Sequence, residues 1–391
     1  LKEIDAALGN STISRLSAGF NLGKSPTLEV HSQSVELVAD EIYPWLLSFK
    51  NIEPFLKEFS ATKGMVSLPG LSLNGPLHLP AQWHYALTCN MKNLVLTSDA
   101  FGDPVTVNNG SFDLASDTTP KATRNRVRMN ATDLTWGKTH LALIGGMILS
   151  KNETLLDLTL TADAIDWNQV NSIVVYAEKK SNVPDSRLSK RDLLGTLKVQ
   201  ADNFNYKTYS VNPLKADLSF KTDKVVITVN EAVVCNISFR GLLEVYEKTL
   251  KIFLVPTAAN QMLAPAIACL TDQKHLAMGT FNLNGQLLSK SKPDEFLQSF
   301  SGEVAFSAEK GRIYRLGLLA KILSILNVTE IYRGEIPDLV GEGFAYHGMT
   351  ISANIEGGKL IMRECSIDGV SMGIACEGNI DFSEKKMDLI I

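Results

Sequence analysis

Apolar and polar residues alternate along most of this chain, and this pattern constrains the fold more than any other feature. In GTLKVQADNF, the apolar Leu197, Val199 and Ala201 point to one side of an extended chain, and the polar residues between them point to the other. The alternation recurs at intervals of about ten residues, with Asn, Asp and Gly between the segments. It predicts a mainly β fold of antiparallel meanders with one apolar and one solvated face.

An apolar sheet face of this length must be hidden from water. The chain can fold over itself, pack a helix on the face, or hold acyl chains there. By the alternation, the candidates for the groove lining are Leu197, Val199, Ala201, Leu214, Leu218, Ile227 and Val229. A closed core and an open trough both remain compatible with the pattern.

Few segments have helical spacing, and residues 312–327 have it most clearly. Their apolar stripe includes Leu316, Leu319 and Leu323, which we expect to point inward. Such a helix either packs as a plug on the apolar face or lies on a membrane surface. Its few basic residues favour the plug. Shorter helices are predicted after a capping Ser34 and within NQMLAPAIACL.

A polar segment interrupts the alternation at residues 177–192. Its sequence, AEKKSNVPDSRLSKRD, indicates a linker or a long surface loop. We therefore expect residues 1–176 to form an N-terminal strand-rich region with short helices, and residues 193–391 to form a C-terminal β region. No apolar run is long enough to span a bilayer, and the chain ends within a strand-like segment, which is typical of a piece of a longer protein.

The composition argues against several classes of function. The formal net charge is −4, so the basic surface of a nucleic-acid-binding protein is missing. The five cysteines have no C-x-x-C spacing, which makes a structural zinc site improbable. Cys235 and Cys269 lie in apolar segments where a disulfide or two buried thiols would fit equally well.

No catalytic motif meets its structural requirement. The G-x-S-x-G match at residues 369–373 needs a strand that turns into a helix, but strand-like sequence lies on both sides of Ser371. The six histidines are scattered without the spacing of metal ligands. We expect no enzymatic activity, no metal and no cofactor.

Three arginines alternate along KATRNRVRM. Arg124, Arg126 and Arg128 would project from one face of a strand. Such a ladder can bind phosphate headgroups through charge-assisted hydrogen bonds. The alternative is an ordinary solvated sheet face.

Several segments resemble the AsmA-like proteins, close to the YhdP branch. The similarity is carried by GRIYRLGLLAKILSILNVTEIYRGEIPDLVGEGFAY, by the strands that end in GNIDFSEKKMDLII, and by TADAIDWNQV. It covers most of the chain and is best after about residue 193. The resemblance implies an elongated, curled, taco-like β-sheet with an apolar groove. It also implies the periplasm of a diderm bacterium, in a protein anchored in the inner membrane by an N-terminal helix.

AsmA-like proteins are thought to act as bridges for phospholipid movement towards the outer membrane. Burial of each methylene of an acyl chain stabilises the bound state by about 0.8 kcal/mol. Lipid transfer therefore needs an apolar surface and no set of catalytic residues. We therefore expect a non-enzymatic protein that binds phospholipid acyl chains and supports outer-membrane assembly, with other envelope proteins as candidate partners. The alternative is a structural or scaffolding β-protein of the envelope with a closed core and no lipid ligand.

Overall fold

The structure is a computed structural model. It describes all residues except 24, 49–58, 80–81, 120–121, 151, 182–191, 247–248, 272–273, 293–294, 315–342, 371, 382–385 and 391. The chain divides into two compact units. Unit 1 contains Leu1–Thr208 and Asp217–Thr222, and unit 2 contains Tyr209–Ala216 and Asp223–Ile391.

The first half of the chain is almost entirely β-strand. Its elements are β1 (Ile4–Leu8), β2 (Ser11–Asn21), β3 (Thr27–Ser32), β4 (Ser34–Val38), α1 (Ala39–Leu46), β5 (Ser60–Leu68), β6 (Leu71–Pro76), β7 (His84–Thr97), β8 (Val105–Thr119), β9 (Ala122–Trp136), β10 (Thr139–Leu149), β11 (Glu153–Asp166), α2 (Trp167–Ser181) and β12 (Asp192–Tyr206).

The second half has the same character. Its elements are β13 (Tyr209–Val211), β14 (Leu214–Phe220), β15 (Val225–Val234), β16 (Ile237–Tyr246), β17 (Thr249–Met262), α3 (Leu263–Thr271), β18 (Ala277–Ser291), a 3-10 turn (Phe296–Ser299), β19 (Ser301–Ile313), β20 (Phe344–Glu356), β21 (Lys359–Gly369), β22 (Gly373–Ala375), β23 (Glu377–Asp381) and β24 (Lys386–Ile390).

The mainly β fold is confirmed, and the pairing of β11 with β12 departs from the predicted antiparallel arrangement. In unit 1, β5, β7, β8, β9, β10 and β11 pair in succession as antiparallel neighbours. β12 then pairs with β11 in parallel, from Glu153 opposite Asp192 to Asp166 opposite Asn205. Parallel neighbours need a crossover connection, and α2 lies in this one.

The segment predicted as a linker therefore has a different structure where it is described. Ala177–Ser181 form the last residues of α2, and Asp192 begins β12. Residues 182–191 lie outside the described residues. Because β12 is tied to β11 along its length, the first unit continues to Thr208, beyond the predicted linker.

At their first residues, two of the predicted helices are strands instead. Ser34 begins strand β4, and the helix α1 starts only at Ala39 and contains Pro44. Arg312 and Ile313, the first two residues of the strongest predicted helix, belong to β19. Residues 315–327 of that helix lie outside the described residues. The helix expected within NQMLAPAIACL is confirmed as α3.

A carboxylate joins α1 to the turn between β1 and β2. The Glu41 carboxylate accepts hydrogen bonds from the backbone N–H of Asn10 at 2.9 Å and of Ser11 at 3.0 Å, and from the Ser11 hydroxyl at 2.8 Å. The hydrogen bond from the backbone N–H of Asn10 is the main reason why the pKa of Glu41 is lower than its ordinary value. A carboxylate whose pKa is lower in the folded than in the unfolded state stabilises the fold at pH values above the unfolded pKa. This contribution is lost as the pH falls through the folded pKa.

We expect Glu41→Gln to lower the melting temperature at pH 7 and to lower it progressively less as the pH falls towards 3. At pH 7 the wild-type carboxylate is ionised and fully bonded, whereas in acid both proteins carry a neutral group. Thermal unfolding of wild type and variant between pH 3 and pH 7 tests this. Glu36→Gln, an exposed glutamate of β4, is the control. An equal melting-temperature difference at every pH would contradict the role of the charge.

Candidate apolar binding surface

Strand pairing brings apolar side chains of unit 1 into continuous rows. Paired residues on neighbouring strands lie on the same face of a sheet. One row crosses the six strands from β7 to β12 and consists of Leu94, Val107, Leu134, Leu141, Ala162 and Ala201. A second row consists of Cys89, Phe112, Met129, Gly145, Leu158 and Leu197, and a third of Leu87, Leu114, Val127, Met147, Leu156 and Gly195. We call these three rows the apolar face of unit 1.

Burial falls from one end of this face to the other. In the first row Leu94 and Val107 are 6% and 4% exposed, and Ala39 of α1 packs against both. In the third row all five side chains, from Leu87 to Leu156, are only half-buried. The apolar face is therefore covered at the α1 end and open towards the third row, among the residues that the structure describes.

Two glycines let the strands approach closely on this face. Gly145 has φ +129° and Gly195 has φ +112°. A Cβ at Gly145 would lie 2.1 Å from the Asp157 carbonyl oxygen, and one at Gly195 would lie 1.9 Å from that of Leu156. Glycines at such positions permit local bending of a sheet.

The three groove candidates of β12 lie on this face. Leu197, Val199 and Ala201 pair with Leu158, Leu160 and Ala162 of β11. Leu197 and Val199 are half-buried, and Ala201 is 4% exposed. The alternation in the sequence thus predicts that these three residues share a face. The strand register identifies their neighbours on β11, which the sequence alone could not.

Unit 2 has an apolar face of the same design. A row that crosses eight strands, from β15 to β23, consists of Val229, Gly241, Leu254, Leu287, Gly302, Ile355, Leu360 and Ile380. All eight residues are half-buried. Ile227, the other candidate on β15, pairs with Leu243, which pairs with the buried Ile252. We call this row, together with Ile227, Leu243 and Ile252, the apolar face of unit 2.

The helix α3 closes one end of the unit 2 face. Leu263 and Ala266 of α3 join a core with Phe281, Ala308 and Phe344, all of them at most 5% exposed. A disulfide between Cys235, in the turn after β15, and Cys269 of α3 fixes the helix there, with the two Cα atoms 5.4 Å apart. Of the two alternatives for this cysteine pair, the disulfide is therefore present. A second disulfide joins Cys365 and Cys376, and Cys89 is a free, buried thiol.

The remaining lining candidates are placed only in part. Leu214 and Leu218 are half-buried on β14, on the same side as the buried Ala216. Leu316, Leu319 and Leu323 lie outside the described residues, as does Ser371.

The arginine ladder lies on the opposite face of unit 1. Arg128 pairs with Gly146, which pairs with Asp157, and Asp157 is the neighbour of Leu158 on a regular strand. Successive residues of a strand point to opposite faces. Arg124, Arg126 and Arg128 therefore share a face with one another, which we call the arginine face, and none of them shares a face with Leu197. The sequence predicts both sets of residues, but it does not show that they lie on opposite faces of the sheet.

The described residues were also compared with the requirements of a metal site and of a membrane-spanning helix. There, three or more histidine, cysteine, aspartate or glutamate side chains nowhere form a group that could hold a metal ion. The described helices are also too short or too polar to cross a membrane.

Comparison with known proteins gives one match. The model of a family described as YhdP protein matches residues 5–391. No curated protein matches the chain. No solved structure matches it either.

Proposed function

We propose, from the premise that this chain belongs to the YhdP family, that it is a non-enzymatic, phospholipid-binding part of a transport route between the inner and outer membranes of a diderm bacterium. The acyl chains lie on the apolar faces of the two units, and the movement of phospholipid supports outer-membrane assembly. The full-length protein is anchored in the inner membrane, with this part in the periplasm and other envelope proteins as partners.

The observation that carries the proposal is the half-buried row of unit 2. A row of apolar residues across eight strands is partly accessible along its whole length, whereas a closed core would bury it. Contact with acyl chains would remove this surface from water at about 25 cal/mol per Å². The free energy is non-directional, so a chain can move along the face without breaking specific bonds.

The two disulfides support a periplasmic location. Disulfides persist in oxidising compartments such as the bacterial periplasm and are rare in the cytosol. The Cys235–Cys269 and Cys365–Cys376 bonds both lie in unit 2. An oxidising compartment such as the periplasm would allow both bonds to form and persist.

Lipid loading and lipid transfer test the function directly. We expect native mass spectrometry of the purified chain to detect bound phospholipid, and we expect the chain to accelerate exchange of a fluorescent phospholipid between vesicles. A chain that carries no lipid and leaves exchange at the spontaneous rate would favour the alternative of a scaffolding protein with a closed core.

A further inference from the structure

A disulfide ties the C-terminal half of α3 to the turn between β15 and β16. We infer that this Cys235–Cys269 bond is a redox-controlled latch. Its reduction releases the C-terminal half of α3 from the core and lengthens the open part of the apolar face of unit 2. The release of α3 is argued from the structure of unit 2 alone, whereas acyl-chain binding on the lengthened face rests on the proposed function.

The two halves of α3 are held in different ways. Leu263 and Ala266 of the first half are buried in the core of unit 2. Ile267, in the middle of the helix, is half-buried against the same core. The last three residues of the helix, 269–271, are exposed. Buried apolar surface therefore holds the beginning of α3, whereas the disulfide holds an end that buries little surface of its own.

The core beneath α3 continues the open apolar face. Phe281, Leu283 and Leu287 lie at even intervals on β18, which keeps a constant register with β19 over this stretch, so their side chains share one face of the sheet. Leu287 belongs to the half-buried row of the apolar face, whereas Phe281 is 2% exposed and belongs to the same core as Leu263. Release of α3 would therefore uncover apolar surface that joins the existing row.

Cys235 occupies a backbone position that does not favour cysteine. Cys235 has φ +52° and Asn236 has φ +65°, and they form the two-residue turn between the paired residues Val234 and Ile237. Hairpin turns with two positive φ angles favour asparagine and glycine. The bond to α3, and not the turn, therefore accounts for a cysteine at the first position.

An external thiol can reach the bond from one side. Cys269 is exposed, whereas Cys235 is 8% exposed. A thiolate of a dithiol protein therefore attacks Sγ of Cys269, and Cys235 leaves as a thiolate that takes up a proton. The second thiol of the dithiol then displaces Cys269 from the mixed disulfide. In the net reaction two electrons and two protons pass to the cysteine pair, and the dithiol becomes a disulfide.

The second disulfide of unit 2 ties strands that the sheet already holds together. The backbone N–H of Cys376 donates a hydrogen bond to the Cys365 carbonyl at 2.9 Å. Strand β21 pairs with β22 on one side of this bond and with β23 on the other. Because these pairs remain when the bond is reduced, its reduction should release no element. It is therefore the matched control for the latch.

Hydrogen exchange on the full chain tests the latch. The test protein combines Cys365→Ser with Cys376→Ser and keeps only the latch, and the control protein combines Cys235→Ser with Cys269→Ser and keeps only the other bond. In the test protein we expect dithiothreitol to speed exchange of the α3 amides at least about tenfold without denaturant, and to change β19 and β20 little. In the control protein we expect α3 to exchange fast with and without dithiothreitol.

Photocrosslinking locates the acyl chains in each redox state. The probe is phosphatidylethanolamine with a diazirine in its acyl chain, supplied in vesicles, and the crosslinked peptides are mapped by mass spectrometry. In the oxidised test protein we expect crosslinks at the open row, including Leu287. After reduction we expect additional crosslinks at Phe281 and Leu283, and in the control protein we expect these in both states.

The outcomes separate the latch from the proposed function. Unchanged exchange of α3 after complete reduction, verified by alkylation of both cysteines, would overturn the latch. So would an equal rise in exchange over α3, β19 and β20, because the bond would then stabilise the whole unit and not the helix. Release of α3 with crosslinks confined to the open row would overturn the lengthening of the face. Release of α3 without any crosslink in unit 2 would contradict the proposed function and leave the latch standing.

Wild-type protein provides the same comparison if the test protein does not fold. Dithiothreitol is then titrated, and alkylation measures the reduced fraction of each cysteine pair. We expect the exchange rate of α3 to follow reduction of Cys235 and Cys269. An exchange rate that follows only the reduction of Cys365 and Cys376 would overturn the latch.

Discussion

Replacing Leu158 and Leu197 together by asparagine is expected to lower the rate of phospholipid transfer by the chain at least about tenfold. The two residues are paired neighbours on β11 and β12, both half-buried, in the middle row of the apolar face of unit 1. An amide that loses its water to an acyl chain without gaining a hydrogen bond costs roughly 2–7 kcal/mol. Two such groups side by side would place a polar barrier across the path of the lipid.

The controls use the alternation of the same two strands. Thr161 and Lys198 are exposed residues of β11 and β12 that point to the arginine face. Thr161→Asn with Lys198→Asn changes side chains on the same pair of strands without touching the apolar face. We expect this control to transfer lipid at the wild-type rate in the vesicle assay, and circular dichroism should show that both double variants remain folded.

Equal transfer by the two double variants would contradict the assignment of the apolar face as the lipid path. Loss of transfer in both would indicate that this strand pair matters for folding and not for lipid contact. Native mass spectrometry supplies an independent measurement, because we expect fewer bound phospholipids only in the variant that combines Leu158→Asn with Leu197→Asn.

The alternation in the sequence was sufficient to predict strands and to group residues by face. Leu197, Val199 and Ala201 share a face because successive strand residues alternate, and no long-range information is needed for that step. The same rule grouped Arg124, Arg126 and Arg128. It could not show that the two groups lie on opposite faces, because they lie on strands connected through the pairing of β9 with β10, of β10 with β11 and of β11 with β12.

Irregular residues explain why register could not be read from the sequence. Ala131 has φ +43° and Asn93 has φ +49°, and the pairing of β9 with β10 shifts between Leu143 and Gly145. An extra residue at a bulge reverses the face of every later residue on that strand. Non-glycine residues seldom adopt positive φ. The residue types at Ala131 and Asn93 therefore do not indicate that the strands are irregular there.

The parallel pairing of β11 with β12 was missed for a different reason. The charged end of the segment that connects them, AEKKSNVPDSRLSKRD, is typical of a linker or a long surface loop. Its beginning, WNQVNSIVVYAEKKS, forms α2. This helix has several exposed apolar residues, including Ile173 and Val174, and so lacks the clean apolar stripe by which amphipathic helices are recognised. The spacing of apolar residues therefore does not show that a crossover helix connects these two strands.

Loss of the Cys235–Cys269 disulfide is expected to lower the free energy of unfolding of unit 2 by about 4 kcal/mol, from the chain entropy of the closed loop. The two cysteines are separated by 34 residues, and the bond holds α3 against the core at Leu263 and Ala266. Hydrogen exchange of peptides from α3 and β18 in increasing urea would measure the change in Cys235→Ala with Cys269→Ala.

The second disulfide provides a graded control for the same argument. Cys365 and Cys376 are separated by only 11 residues, so the chain-entropy contribution is smaller, about 3 kcal/mol. Cys89 forms no disulfide, and Cys89→Ala should leave the effect of a reducing agent unchanged. The longer loop must give the larger loss if the bond acts mainly on the unfolded chain. An equal or reversed order would mean that contacts of α3 in the folded state, and not loop closure, determine the stability of the closed end of the unit 2 apolar face.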